Sequence, residues 1–438
     1  MAFYGLVRLD NRAPLRERRA TTEDRTVTQP PPARATKTKS SPRFAGALSI
    51  LAESPRALRE ATAELEAGLD GATPDLLMAF ATHHHGPALE ELGPALARAT
   101  GARVVAGCTA ESVIAGSREV EGSPGLALWA ATLPGTEVRP FEITAHAGSD
   151  GEPVFSRLPS VGDAERACLV LTADPFTFPV DAFLTRLNDE LPGVPAIGGM
   201  ASGAMGPGQT FFFSAEGVRD GGCHGLVLEG ELELHPVVSQ GCRPVGKPWV
   251  ITECERNAIK KLGGKPAVEV LMETLNELWK VEPALRERQS MPFIGLAIDA
   301  TRTRFHRGDF LVRGIMALNQ RDRSVVVADF VRRGQTVQLL VRDAASAGED
   351  LQALVSAHGL STPSAAAGAA CGALLFSCNG RGQRMFGKPD HDASCVRTTL
   401  GADVPLAGFF AAGEIGPVGG RNFLHGFTAS LALFRQRG

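Results

Sequence analysis

A hydroxyl, a thiol, a carboxamide and a guanidinium fall within five residues at Ser377, Cys378, Asn379 and Arg381, with Gly380 and Gly382 between and after them. They follow the apolar run GALLF at 372–376, so a buried strand would deliver them together at its carboxyl end. Three chemistries could use such a set. A thiol near Arg381 and Arg384 could ionise and act as a nucleophile, yet no base stands at a telling spacing; His391 and His425 are merely the nearest imidazoles. A glycine-rich turn could cradle phosphate. GRGQRM, however, has Met385 where a dinucleotide fingerprint needs its third glycine, and GQRMFGKP has Pro389 where a phosphate loop needs Ser or Thr for Mg²⁺. The third chemistry is a pocket wall, and the residues favour it. Glycines let a ligand approach the backbone, Asn379 both donates and accepts, and Arg381 can fork onto a carboxylate.

Two further groups carry chemistry. Glu414, after Gly413 in AAGEIGP, is a lone carboxylate among small and apolar residues and needs a partner or a ligand. Cys108, Thr109 and Glu111 crowd polar groups into GCTAES, which is expected to line a cleft. His83, His84 and His85 have no companions at metal-ligand spacing, so they read as a solvated loop. No catalytic residue, metal or cofactor is assigned.

The elements that must position these groups recur. Leu76 to Gly107 spans an apolar strand, a helical stretch and a second strand; Leu169 to Gly198 and Leu374 to Gly408 repeat that order at similar length. Each copy is followed by another apolar strand, GLALWAATL from Gly125, GLVLEGELEL from Gly225 and GFTASLALF from Gly426. The chain therefore reads as α/β with mixed sheets, built from three β-α-β-β units. Ser54-Pro55 reads as a helix N-cap and first turn. Before the last unit come the helical pattern PAVEVLMETLNELW at 266–279 and the β-like runs FIGLAI, FLVRGIMAL, SVVVADF and TVQLLVRD, which suggest an antiparallel meander. A helix is expected from Ala344 to His358, then a Ser/Thr/Pro/Ala-rich linker at 361–370. The boundaries expected are a disordered basic tail at 1–43, one domain at 44–242 and another at 243–438.

Bulk properties exclude several classes. The 438-residue chain is 44% apolar and 21% charged, ordinary for a globular protein, and its net charge of −3 offers no field toward nucleic acid or an anionic membrane. Its longest apolar stretch, about twelve residues near 365–376, falls short of the roughly twenty that span a bilayer. Eight cysteines without CxxC spacing suit a reducing cytoplasm. Residues 1–43 carry ten Lys or Arg against four Asp or Glu, with no apolar face to bury.

GCTAES, GGMASG, the run VRGIMALNQRDRS with RRGQTVQLLVRD, LLFSCNGRG and GFFAAGEIGP together resemble the FIST family, in which a FIST N-terminal precedes a FIST C-terminal domain. The resemblance covers nearly everything after Phe44. It implies a sensory module of signal transduction that binds a small ligand such as an amino acid and relays it through a separate protein partner; membrane and nucleic-acid partners are not expected. Some eukaryotic relatives place the pair behind an F-box in a ubiquitin-ligase adaptor. Two other readings stay open, a cysteine-dependent enzyme using Cys378 and an interaction adaptor without its F-box. For a ligand of amino-acid type, the parallel strands of the third unit should bring Arg381 to its carboxylate and Glu414 to its ammonium.

Overall fold

Continuous apolar runs such as Leu76–Thr82 suit strands buried on both faces, and that is how the repeats are used. The computed structural model describes residues 41–149, 151–287, 292–299, 301–302, 304–357 and 369–437. The expected basic tail lies outside these residues save for 41–43, of which Arg43 already opens the first strand; the linker expected at 361–370 lies outside them up to 368.

The first repeat comprises β1 (Arg43–Ser49), α1 (Ser54–Gly68), β2 (Leu76–Thr82), a 3₁₀ segment (His83–Glu91) with α2 (Leu92–Thr100), β3 (Val104–Ala110), the hairpin β4 (Val113–Ala115) and β5 (Arg118–Val120), β6 (Leu126–Thr132) and β7 (Thr136–Ile143). A small hairpin, β8 (Ala145–Ala147) and β9 (Pro153–Phe155), leads to the second repeat. That repeat contains β10 (Ala167–Ala173), α3 (Val180–Glu190), β11 (Ala196–Met200), the hairpin β12 (Phe212–Ser214) and β13 (Gly217–Arg219), β14 (Cys223–Gly230) and β15 (Leu232–Ser239).

An antiparallel insert follows. It holds β16 (Cys242–Glu255), β17 (Ala258–Leu262), β18 (Lys265–Pro266), α4 (Ala267–Val281), α5 (Pro283–Glu287), β19 (Pro292–Ala297), β20 (Phe310–Asn319), β21 (Ser324–Val327) and β22 (Thr336–Arg342). The third repeat has α6 (Ala344–Ala357), β23 (Gly372–Cys378), α7 (Gln383–Phe386), α8 (His391–Leu400), β24 (Leu406–Ala411), the hairpin β25 (Glu414–Val418) and β26 (Arg421–His425), and β27 (Ala429–Gln436).

In each repeat the first two strands run parallel and the last lies antiparallel beside the first: β2 pairs β3 and β6, β10 pairs β11 and β14, β23 pairs β24 and β27. The strands that follow leave for other sheets. The orders are β1-β6-β2-β3-β12-β13, β7-β14-β10-β11-β25-β26 and β15-β27-β23-β24-β4-β5. Each sheet therefore borrows a hairpin from one repeat, and two of them take an edge strand from the preceding repeat; β1 fills that place in the first.

The inner faces of the three sheets meet in one core that includes Phe80, Trp129, Phe376, Phe409 and Phe434. Alternate residues face outward under helices: along β2, Met78 and Phe80 face the shared core while Leu77 and Ala79 pack under α1 and α2. One glycine per repeat is obligatory. Gly107, Gly198 and Gly408 have φ of +139°, +152° and +159°, and a Cβ on each would stand 1.8–1.9 Å from the carbonyl oxygen of Ala79, Leu171 or Leu375 on the paired strand.

The insert is antiparallel as expected, but β22 pairs β19 and β16 rather than β21, and β17 pairs β16, so the strands close on themselves. RDRS makes the β20–β21 hairpin; RRGQ instead carries the chain across. Closure gives α4 a core to fill, through Val268, Leu271 and Leu275, while Met272 stays exposed. Ser54 is not the N-cap of α1: Glu53 is, and the Ser54 hydroxyl meets His85 Nδ1 at 3.0 Å. No helix among the described residues is long and apolar enough to cross a membrane.

Candidate functional site

The shared register makes equivalent positions comparable. Ala79, Leu171 and Leu375 face the three obligatory glycines, so Thr82, Asp174 and Cys378, three residues later, are equivalent; Thr82 and Cys378 end β2 and β23, and Asp174 directly follows β10. Val113, Phe212 and Glu414 are likewise equivalent, opposite Phe409, Cys108 and Gly199 on the sheets that receive them. Two of these ends are closed. Thr82 Oγ1 accepts from Gly125 N at 2.9 Å, and both Asp174 oxygens accept from Thr177 and Thr210. Val113 and Phe212 are core residues. The third repeat alone places a carboxylate there.

Glu414 is fully buried. Its Oε2 accepts from Thr428 N at 3.0 Å and Thr428 Oγ1 at 2.8 Å, whereas Oε1 has no hydrogen-bond partner among the described residues. Burial raises its pKa to about 7, against the pull of the Thr428 donors and, more weakly, of the Cys378 thiol and the Arg381 charge. Cys378 lies beside it and accepts from Gly380 N at 3.4 Å. Burial, followed by the Glu414 charge, pushes this thiol up to about 12, the opposite of what a thiolate nucleophile requires. Asn379 Oδ1 is also buried without a partner among the described residues.

Arg381 departs from the sequence expectation. It is fully buried and already forks onto a carboxylate of the protein: Nε meets Asp392 Oδ2 at 2.6 Å and Nη2 meets Oδ1 at 2.9 Å. Ser377 donates to the same Asp392 at 2.8 Å. Burial opposes ionisation of Asp392, but Arg381 overrides it and holds the carboxyl well below its ordinary range. Among the described residues the remaining Nη1 has no partner, and it faces Gly241, where a Cβ would come within 2.7 Å. The guanidinium carbon sits 5.3 Å from the centre of Phe386, whose other contact is a near-parallel stack on His391.

Arg342, at the end of β22 in the insert, completes the group. Its Nη2 donates to the Gly380 carbonyl at 2.6 Å, and its guanidinium carbon lies 5.2 Å from the Phe427 ring centre. A Cβ on Gly380 would stand 3.2 Å from Arg342 Nη1, so this glycine makes room for the arginine. Gly382 (φ +63°) is buried against Glu121, which accepts from Gln383 N at 3.0 Å. Gly413 packs against Met200 and Leu424.

The GCTAES residues are not gathered with this set. Cys108 belongs to the central core and Thr109 accepts from Phe211 N, because β3 buries both its faces. Glu111, half-buried, pairs with Arg384 at 2.6 Å. Nearby, Glu119 accepts from Ala393 N at 2.9 Å, and burial, reinforced by Asp392, raises it to about 7. The β4–β5 hairpin thus latches onto α7 and α8. His83 and His84 stack on each other, and no three His, Cys, Asp or Glu groups among the described residues could hold a metal ion. A groove of about 640 Å³ lies elsewhere, between β1 and β4, and includes Glu64, Arg118, Arg397 and Asp403; none of its lining atoms is among the buried unpartnered ones.

Asp392, Arg342, Phe427 and Thr428 were not singled out from sequence. Asp392 lies in the first turn of a helix that begins just after the phosphate-loop look-alike GQRMFGKP, and Arg342 precedes the site by almost forty residues. Only Thr428, next to the last apolar run, carried a readable signal.

Three β-α-β-β repeats with exchanged strands, and a closed antiparallel insert donating an arginine to the third, define a pseudo-threefold α/β module. Residues 75–265 match the FIST N domain and 267–417 the FIST C domain, and the chain belongs to the FIST family. It is 38% identical over 379 residues to the uncharacterized protein Rv0628c of Mycobacterium tuberculosis strain H37Rv, covering 86% of this chain and 96% of the relative. It is 37% identical over 379 residues to the uncharacterized protein Mb0898c of Mycobacterium bovis, covering 86% and 94%. FIST domains are associated with sensory and signal-transduction roles.

Proposed function

We propose that this protein is a sensory module that binds a small ligand of amino-acid type at the strand ends of its third repeat and relays occupancy to a protein partner. The observation that carries this reading is Glu414. Its carboxylate is fully buried, one oxygen has no partner among the described residues, and the equivalent positions of the other two repeats are apolar. An unpaired buried carboxylate is costly, and such groups concentrate where a ligand supplies the missing partner. A primary ammonium fits Oε1 as a charged donor.

The test is a thermal-shift and calorimetric screen of the full chain against the L-amino acids, repeated on Glu414→Gln. Binding by the parent and a ten- to hundredfold loss in the variant is expected, the cost of one charge-assisted hydrogen bond. Equal affinity in the two proteins would remove Glu414 from the reading. Failure of every amino acid to bind the parent would end the amino-acid assignment.

A further inference from the structure

Among the described residues, Arg342 has no carboxylate within ion-pair distance, although burial is strong enough to push its pKa down. Three other partly buried or buried arginines are neutralised, whereas Arg397 and Arg437, like Arg342, donate to backbone carbonyls. Arg243 meets Asp343 and Glu282, Arg313 meets Asp329, and Arg381 meets Asp392. The acid next in sequence to Arg342 is pre-empted, since Asp343 accepts from Arg243 at 3.3 Å and from Ser346 N at 2.8 Å. The guanidinium is nonetheless fixed: Nη2 on the Gly380 carbonyl, Nε 3.2 Å from Met385 Sδ, and its carbon close to the Phe427 ring. Phe427 itself takes a positive φ of +68°, a conformation an aromatic residue rarely adopts, one residue before the Thr428 that holds Glu414. A positioned cation without a counter-ion and a buried carboxylate with a vacant oxygen flank the same Cys378–Gly380 turn.

We infer that Arg342, and not Arg381, is the anchor for a ligand carboxylate, so that the ligand is a zwitterion held between the closed insert and the third repeat. The inference rests on the ligand site proposed at Glu414 and adds the second charge. Arg381 cannot serve, because two of its donors are spent on Asp392 and the free Nη1 faces Gly241. Arg342 reaches the site from the insert, so the ligand would bridge two parts of the fold that are otherwise joined there through Gly380, Phe427 and Met385. A guanidinium forks onto a carboxylate; an ammonium does not, so arginine rather than lysine is required.

The experiment is calorimetry on the full chain with each L-amino acid that binds the parent and with its primary amide, which keeps the ammonium and removes the anion. Arg342→Ala and Arg342→Lys are measured alongside. The amide is expected to bind the parent ten- to hundredfold more weakly than the acid. Arg342→Ala should lose that same factor for the acid and bind the amide as the parent does; Arg342→Lys should recover only part of it. Parent-like affinity of Arg342→Ala for the acid overturns the inference while leaving the Glu414 site standing, as does an equal loss for acid and amide, which marks a structural role. If Arg342→Ala does not fold, the lysine variant and the acid-to-amide ratio in the parent decide alone: a ratio near one refutes it. Should no amino acid bind the parent, the underlying site reading falls, and this inference with it.

Discussion

Replacing Glu414 by Gln should flatten part of the pH dependence of stability, in a direction fixed by where the carboxyl titrates. Its pKa rises from 4.5 to about 7 on folding, with burial the dominant cause. Below about pH 4.5 the carboxyl is protonated in both states and the folded chain keeps its full stability. As pH rises, the unfolded chain releases the proton first, so stability falls until the folded carboxyl ionises near pH 7 and is constant beyond. A rise of about 2.5 units at roughly 1.4 kcal/mol each gives about 3 kcal/mol lost across that window. For 438 residues the unfolding entropy is about 0.9 kcal/mol/K, so the loss equals about 3–4 °C. A glutamine can keep the Thr428 hydrogen bonds through its carbonyl oxygen and carries no charge. Differential scanning fluorimetry of both proteins from pH 4.5 to 8 is the assay. Glu414→Gln should melt about 3–4 °C higher, relative to the parent, at pH 8 than at pH 4.5, because every other carboxyl titrates in both and cancels. Parallel curves would refute the fully buried, half-paired state of Glu414 from which the figure is worked.

Other expectations follow from the same geometry. Asp392→Asn strands the fully buried Arg381 without its counter-charge and should cost about 3–5 kcal/mol, read as a lower melting temperature at neutral pH. Gly198→Ala drives a Cβ into the Leu171 carbonyl and should leave the protein insoluble or without a cooperative melt. Gly387→Ala, at φ +66° with nothing within 4 Å, should cost only about 1 kcal/mol. With its thiol raised from 9 to about 12, Cys378 should react with iodoacetamide at pH 8 about a thousandfold more slowly than the same cysteine in the denatured chain, as mass spectrometry of the labelled peptide would record.

Much of the architecture was legible because it is local. The three repeats announce themselves as apolar strands ending in small residues, since the parallel pair needs both faces buried and a glycine where the strands touch. Exchange of strands between repeats leaves no such mark: Val113–Ala115 reads the same whether it pairs at home or beside β24. Closure of the insert was hidden for a related reason, since a polar turn such as RRGQ does not state which strand the next one meets. At the site, Glu414 stood out because a carboxylate among apolar residues is chemically anomalous, and its partial pairing with Thr428 agrees with that anomaly. Arg381 misled because a guanidinium after a strand looks available, and only the helix that starts at His391 brings Asp392 against it. Arg342 lay among ordinary β residues, where an arginine at a strand end draws no notice.

The exchanged strands also have a consequence for where the chain may be opened. β6 passes to β7 through residues 133–135, and β14 passes to β15 through Glu231 alone. By the same pattern β27, ending at Gln436, hands on to the position that β1 occupies from Arg43. The order of strand exchange is thus a ring with one nick, and the nick has no special standing in the fold. A circular permutant joining residue 437 to residue 43 through a few residues, and opened at the exposed Gly419–Gly420 turn, should fold to the same three sheets and melt in one transition. Cutting instead between the two family domains, at residue 266, would divide the insert and deprive the second and third sheets of strands, leaving whole only the first, so neither half should fold to its native core alone while the two together should reassemble.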